Sequence, residues 1–166
     1  MDARPPAYAL VAAELLAACA VETFRSHGPG GQHANKTESA VRVTHRASGV
    51  TAQCQDHRER ARNQAEALRR LRLRLALAER GASRPEWLVE QRRGTRIALG
   101  PGSESYPLVV AVLLDALAAA AGALAQAGAA TGLSTTQFAK VLTADKEVHQ
   151  AANAVRAAHG LGVIHG

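Results

Sequence analysis

The sequence predicts an α+β fold: a small three-stranded, mostly antiparallel sheet backed by a long helix, followed by a small all-α C-terminal domain. Three observations predict it. Short alternating stretches, VETFR, SAVRVTH and VTAQC, are separated by glycine-bearing segments and have the period of strands. HRERARNQAEALRRLRLRLALAER then runs through residues 57–80 without glycine or proline and ends at Gly81, the pattern of one long helix. Beyond residue 106 the composition turns alanine-rich and helical.

In chain order, YALVAAELLAACA (8–20) predicts a short helix. VETFRS (21–26) predicts the first strand, and residues 27–37 form a glycine-rich loop. SAVRVTH (39–45) predicts the second strand. Ala47-Ser48-Gly49 predicts a turn, with Val50–Cys54 pairing back as the third strand. On the long helix Ala61, Leu68, Leu71, Leu75 and Ala78 share one side and are expected to cover the sheet. Leu73 and Leu77 lie outside that stripe and imply a second packing partner. Residues 81–106 predict a linker with one short helix around Trp87. Residues 107–166 predict a helical domain of three or four helices, broken at Gly128, at Gly132-Leu133-Ser134 and near Ala144-Asp145. The expected domains are therefore 1–80 and 107–166, joined through 81–106.

Composition narrows the function. Aromatic residues are only 3% against 47% hydrophobic, so the core is aliphatic. Residues 107–125 form the longest apolar run, but Asp115 interrupts it, so no membrane span is expected. No signal peptide pattern opens the chain. Cys19 and Cys54 have no metal-ligand spacing and are expected to be buried, reduced thiols of a cytoplasmic protein, with no metal site. Residues 58–96 hold twelve arginines and five glutamates, net +7, and no lysine, while the chain as a whole is +6. The planar guanidinium fork suits phosphate, so this segment predicts nucleic-acid contact. Arg58, Arg62, Arg69 and Arg72 fall on one edge of the helix, beside the apolar stripe.

The loop itself carries the chemistry. Gly28-Pro29-Gly30-Gly31 precedes Gln32. Two glycines permit positive φ and let backbone approach a substrate without a Cβ in the way. Backbone N–H groups in such a turn can converge on a developing oxyanion. A glutamine amide can orient water but is no base at neutral pH. The chemistry these residues suit is attack of water on an already reactive ester. On spacing alone, a plain glycine turn stays open as the alternative.

GPGGQHANKTESAVRVTHRASGVTAQCQDHRERARNQAEALRRLRLRL resembles the catalytic domain of class I peptide-chain release factors. The shared order is GPGGQ, an Asn-Lys pair, a Ser-Ala-Val-Arg strand, a histidine before a Ser-Gly turn, Cys-Gln and an arginine-rich helix, over roughly residues 20–78. The resemblance implies hydrolysis of the ester joining nascent peptide to tRNA in the large ribosomal subunit, with ribosomal RNA and peptidyl-tRNA as partners and no cofactor. It implies that Gly30 and Gly31 shape the tip. The backbone N–H of Gln32 would stabilise the oxyanion, and its side chain would restrict the pocket to water. In the family this glutamine is often N5-methylated, which implies a glutamine methyltransferase as partner. Asn35, Lys36, Arg42, His45, Arg58 and Asn63 also match, and the resemblance implies that they position the loop or touch RNA. His33 and His45 are read as structural or solvated, since the mechanism needs no imidazole. Arg58-Glu59-Arg60 and Ala47 depart from the residues common in the family.

About twenty residues precede this region, too few for a stop-codon-reading domain. The chain is therefore expected to be a stand-alone, monomeric, ribosome-rescue type of hydrolase. Rescue proteins of this type commonly end in a basic tail. Here LAQAGAATGLSTTQFAKVL (124–142) has helix-turn-helix spacing instead, with Gly132 at the turn and Leu133, Phe138 and Val141 as its packing set. Two other readings stay open: a non-catalytic ribosome- or RNA-binding module, and a DNA-binding regulator acting through the C-terminal helices.

Overall fold

The computed structural model describes residues 4–25 and 38–165. The chain divides into two units, Met1–Leu75 and Ala76–Gly166, and the boundary falls inside the long helix.

In the first unit, helical propensity near the N-terminus loses to strand pairing. One helix was expected over 8–20. The chain instead makes a 3-10 turn at Ala7–Ala9, extends through Leu10 and Val11, and forms only α1, Ala12–Ala17. Alanine propensity is a weak force over so few residues. Cys19 and Ala20 gain partners across the sheet, in His45 and Thr44. Strand β1 therefore spans Cys19–Phe24 and begins earlier than its alternation suggested. Strands β2 (Ala40–His45) and β3 (Thr51–Cys54) complete an antiparallel sheet of order β1-β2-β3. One face carries Val41, Val43, His45, Ala52 and Cys54, all buried. The opposite face aligns Glu22, Arg42 and Gln53 across three strands.

Helix α2, Arg60–Ala78, buries Asn63, Ala67, Leu68, Leu71 and Leu75. Ala61 and Ala78, expected on that stripe, are exposed. They stand in the end turns of α2, and the buried line enters the helix at Asn63 instead. The helix also closes the sheet edge. Because His45 N–H donates to Val50 O, the carbonyls of Thr51 and Gln53 point away from β2. Arg70 Nη1 donates to Gln53 O at 3.0 Å and Arg74 Nη1 to Thr51 O at 2.9 Å. Four helical residues rise about 6 Å and two strand residues about 6.8 Å, so the two spacings match. An edge strand otherwise leaves such groups free to pair with another chain.

In the second unit, α3 (Glu86–Val89) is the short helix expected around Trp87. It is followed by a hairpin that the alternation did not reveal, β4 (Arg92–Arg93) and β5 (Arg96–Ile97), turning at Gly94. Two-residue strands are too short to show a period. Helix α4, Tyr106–Ala119, is central and nearly all apolar, and it contacts α5 (Leu124–Thr131), α6 (Thr135–Thr143) and α7 (Lys146–Ala157). Its one acid, Asp115, accepts from Arg80 Nε at 3.0 Å and from the Gly81 N–H at 3.1 Å. Tyr106 donates to Val141 O at 3.0 Å, and burial raises its phenol far above the ordinary range.

Gly128, expected as a break, lies inside α5; the break falls at Ala120–Ala123 instead. Gly128 serves close approach, because a Cβ there would lie 3.0 Å from Leu133 O. The other two breaks stand where sequence put them. Gly132 is left-handed (φ 70°) at the C-cap of α5. The Ser134 hydroxyl then caps α6 by accepting from Gln137 N–H, and Asp145 caps α7. No helix among the described residues is long and apolar enough to cross a membrane.

Candidate functional site

Gly30, Gly31, Gln32, His33, Asn35 and Lys36 lie outside the described residues. The structure shows the frame that carries them. Phe24, the last residue of β1, pairs with Ala40, the first of β2, so the intervening segment leaves and returns at neighbouring positions. Just beyond that pair, Arg25 Nε and Glu38 Oε1 stand 3.6 Å apart, both more than half exposed.

The returning strand is tied down by Asn63, which is fully buried. Its Nδ2 donates to Ser39 O at 2.7 Å and to His57 O at 2.8 Å. Its Oδ1 accepts from the His57 N–H at 2.9 Å and from Cys54 Sγ at 3.3 Å. One amide thus joins the residue before β2, the end of β3 and the approach to α2, with donor and acceptor capacity both used. Asn63 contributes to the site by positioning. Burial pushes the Cys54 thiol up, and the same is true of Cys19, whose Sγ donates to Leu15 O. Both stay protonated thiols. His45 is buried, with Nδ1 2.8 Å from Ser48 Oγ, and serves the β2–β3 turn.

The sequence-predicted arginines do not form one equivalent set. Arg42 stands exposed in the middle of the open sheet face. It lies 3.6 Å from Glu22, 5.3 Å from the centroid of Phe24, and within a 3.4 Å hydrogen bond of Gln53. Arg58 precedes α2 and is exposed, and Arg62 meets Glu59 only at 3.7 Å. Neither Arg58 nor Arg72 pairs with an acid among the described residues. Arg69 is gripped by both oxygens of Glu66, at 2.9 and 2.7 Å. That guanidinium, with Arg70 beside it, holds Glu66 below the usual carboxylate range. Sequence reasoning missed Arg70 as a structural residue. It bridges Asp56, Glu66 and Gln53 O, and holds the Asp56 carboxyl down as well. The available signal was its i, i+4 spacing to both Glu66 and Arg74.

A three-stranded antiparallel sheet, closed by an arginine-bearing helix and presenting a glycine-rich β1–β2 connection, defines an α+β scaffold built around one loop. Comparison with known proteins agrees with that architecture. The family described as the RF-1 domain matches residues 16–105, just over half of the chain, and the chain belongs to this family. The match continues through α3 and the β4–β5 hairpin to the last residue before α4. Among curated relatives, peptide chain release factor 1 of Caldicellulosiruptor saccharolyticus is 43% identical over 84 residues, which are 51% of this chain and 23% of that protein. Peptide chain release factor 1 of Thermotoga maritima is 44% identical over 84 residues, 51% of this chain and 24% of its own. That of Rhodospirillum rubrum is 56% identical over 55 residues, 33% of this chain and 16% of its own. The alignments thus span about a quarter or less of these relatives' length.

Proposed function

We propose that this protein hydrolyses the ester of peptidyl-tRNA on the ribosome, releasing nascent chains without reading a stop codon. The observation that carries the reading is the RF-1 domain match over residues 16–105, within which Gly30-Gly31-Gln32 stands between β1 and β2. In this reading the two glycines let backbone approach the ester carbon. The Gln32 N–H donates to the oxyanion, and its side chain admits water but no larger nucleophile. Asn63 and the Phe24–Ala40 pair fix the strand ends from which this segment departs. Arg42, Arg58, Arg62 and Arg72, with Lys36, meet ribosomal RNA. The independence from stop codons is supported by what accompanies the matched stretch: helices α4–α7, which take over placement of the loop. The protein then acts in the cytoplasm as a monomer, and a methyltransferase acting on Gln32 is a further partner.

Release of labelled peptide from ribosomes with a stop codon, a sense codon or no codon in the A site tests this reading. Equal release on all three is expected. Gly31→Val removes the loop's activity with unchanged circular dichroism, by roughly 10²–10³-fold, the usual effect of losing a transition-state donor. Strong preference for a stop codon overturns the rescue reading. Wild-type release by Gly31→Val overturns the loop as the active element.

A further inference from the structure

The second unit contains a basic hairpin locked onto a helix-turn-helix. Between α5 and α6 the backbone turns at Gly132, and Leu133, Phe138, Val141 and Leu142 are buried behind that turn. The Arg92 side chain crosses the turn and donates from Nη1 to Thr131 O at 2.9 Å, satisfying a carbonyl at the end of α5. The crossing requires glycine below it, because a Cβ on Gly132 would coincide with the Arg92 guanidinium. On the far side of the turn Ser134 N–H donates to Thr95 O at 3.2 Å. The β4–β5 hairpin is therefore fixed at both sides of the turn.

The clamp brings one kind of chemistry together. Arg93 and Arg96 are cross-strand partners at the hairpin end, and both are exposed. Arg93 Nη1 is bound to the carbonyls of Glu90 and Arg92, which anchors its guanidinium without neutralising it. Ser134, Thr135, Thr136 and Lys140 are the exposed residues of the adjoining cap and helix. No acid occurs anywhere from Ala116 to Ala144. Among the described residues none of Arg93, Arg96 and Lys140 forms an ion pair. The unit's overall charge is nearly balanced: Asp115 is paired with Arg80 and Asp145 caps α7, while Glu90, three residues before Arg93, is an exposed acid beside the hairpin.

We propose that the edge formed by Arg93, Arg96 and the first turns of α6 is a contact surface for the sugar–phosphate backbone of folded RNA. Short hydroxyls, arginines and one lysine are the donors that bind phosphate and ribose oxygens, contacts that position a protein on nucleic acid without reading its sequence. A DNA-reading helix instead presents side chains that reach base edges in a wide major groove. Folded RNA offers backbone and 2′-hydroxyls on a shallow face, which suits this set. The inference deepens the ribosome-directed reading and rests on it for the source of the RNA. It also assigns a part to residues on both sides of the family match's end at residue 105.

The test measures binding of the full chain to purified ribosomes, to a short RNA duplex and to a DNA duplex of the same sequence, as a function of salt. Each lost phosphate contact lowers the salt slope by about 0.7–0.9, so Arg93→Ala with Arg96→Ala is expected to lower it by about 1.4–1.8 for both RNA targets. Gly132→Ala, which displaces the Arg92 guanidinium but leaves the Ser134–Thr95 hydrogen bond, is expected to move the slope the same way by less. Unchanged slopes in the double variant overturn the surface, and so does wild-type DNA binding equal to or tighter than RNA binding. Peptide release is scored separately on the same preparations. A wild-type protein that shows the arginine-dependent RNA slope but releases no peptide from any ribosome refutes the hydrolase reading and leaves this surface standing.

Discussion

Replacing Asn63 by leucine is expected to loosen the root of the β1–β2 connection while keeping the number of side-chain heavy atoms and the branch at Cγ. Asn63 makes three amide hydrogen bonds of 2.7–2.9 Å and accepts a fourth from a thiol at 3.3 Å. Leucine leaves the His57 N–H without an acceptor and the Ser39 and His57 carbonyls without that donor. At about 0.5–1.5 kcal/mol for each of the three amide bonds, less a small gain from extra apolar burial, the loss is about 1–4 kcal/mol. Urea unfolding followed by circular dichroism measures it, and hydrogen exchange of the β2 amides localises it to the first unit. Asn63→Asp is the informative comparison. It keeps an acceptor for the His57 N–H but sets a carboxylate against two carbonyl oxygens. Its folded-state pKa is therefore raised, so its deficit is present above that pKa and shrinks as pH falls and the carboxyl regains a donor. Peptide release by either variant, at a temperature where both are folded, is expected to drop because Ser39 no longer has a fixed position. A loss below about 0.5 kcal/mol for Asn63→Leu, within the range of an ordinary surface change, refutes the claim that this amide holds the frame.

The arginine edge separates into free and committed groups. Arg58→Ala with Arg72→Ala is expected to lower the salt slope of ribosome binding by about 0.7–0.9 per residue, and Arg69→Ala by less, because Glu66 already holds it. Gly128→Ala would favour an isolated helix by roughly 1 kcal/mol. Here it is expected to lower stability, since the added Cβ meets Leu133 O at 3.0 Å; thermal unfolding gives the sign. Acid is expected to destabilise both units. Asp56 is held low by Arg70 and Glu66 by Arg69. Asp115 is also held low, burial opposing its charge but the Ser83 hydroxyl, Gly81 N–H and Arg80 together outweighing it. Carboxyls depressed in the fold contribute stability above their unfolded values, near 4, and lose it as pH falls through the folded ones. The unfolding midpoint should stay flat from neutral pH down to about 5 and then decline, and Asp115→Asn should lessen the decline reported by Trp87 fluorescence.

The α+β class, the three strands and the long helix were legible because each rests on local periodicity and on glycine punctuation. The turn at Gly132 and the caps at Ser134 and Asp145 were legible for the same reason, since a left-handed C-cap and a short polar N-cap are requirements of neighbouring backbone. The residue order from Gly28 to Leu75 was specific enough to carry the family resemblance. Tertiary structure decided what sequence distance hides. It gave Cys19 and Ala20 to the sheet, where pairing with β2 outweighs alanine's helical preference. It turned Gly128 from a break into a close contact. It divided chemically identical arginines by their surroundings: Arg70 and Arg74 complete a sheet edge, Arg92 crosses a helix turn, and Arg58 and Arg72 pair with no acid among the described residues. A guanidinium's role depends on which carbonyl or carboxylate lies within about 3 Å of it, and that proximity exists only once segments far apart in the chain have folded together.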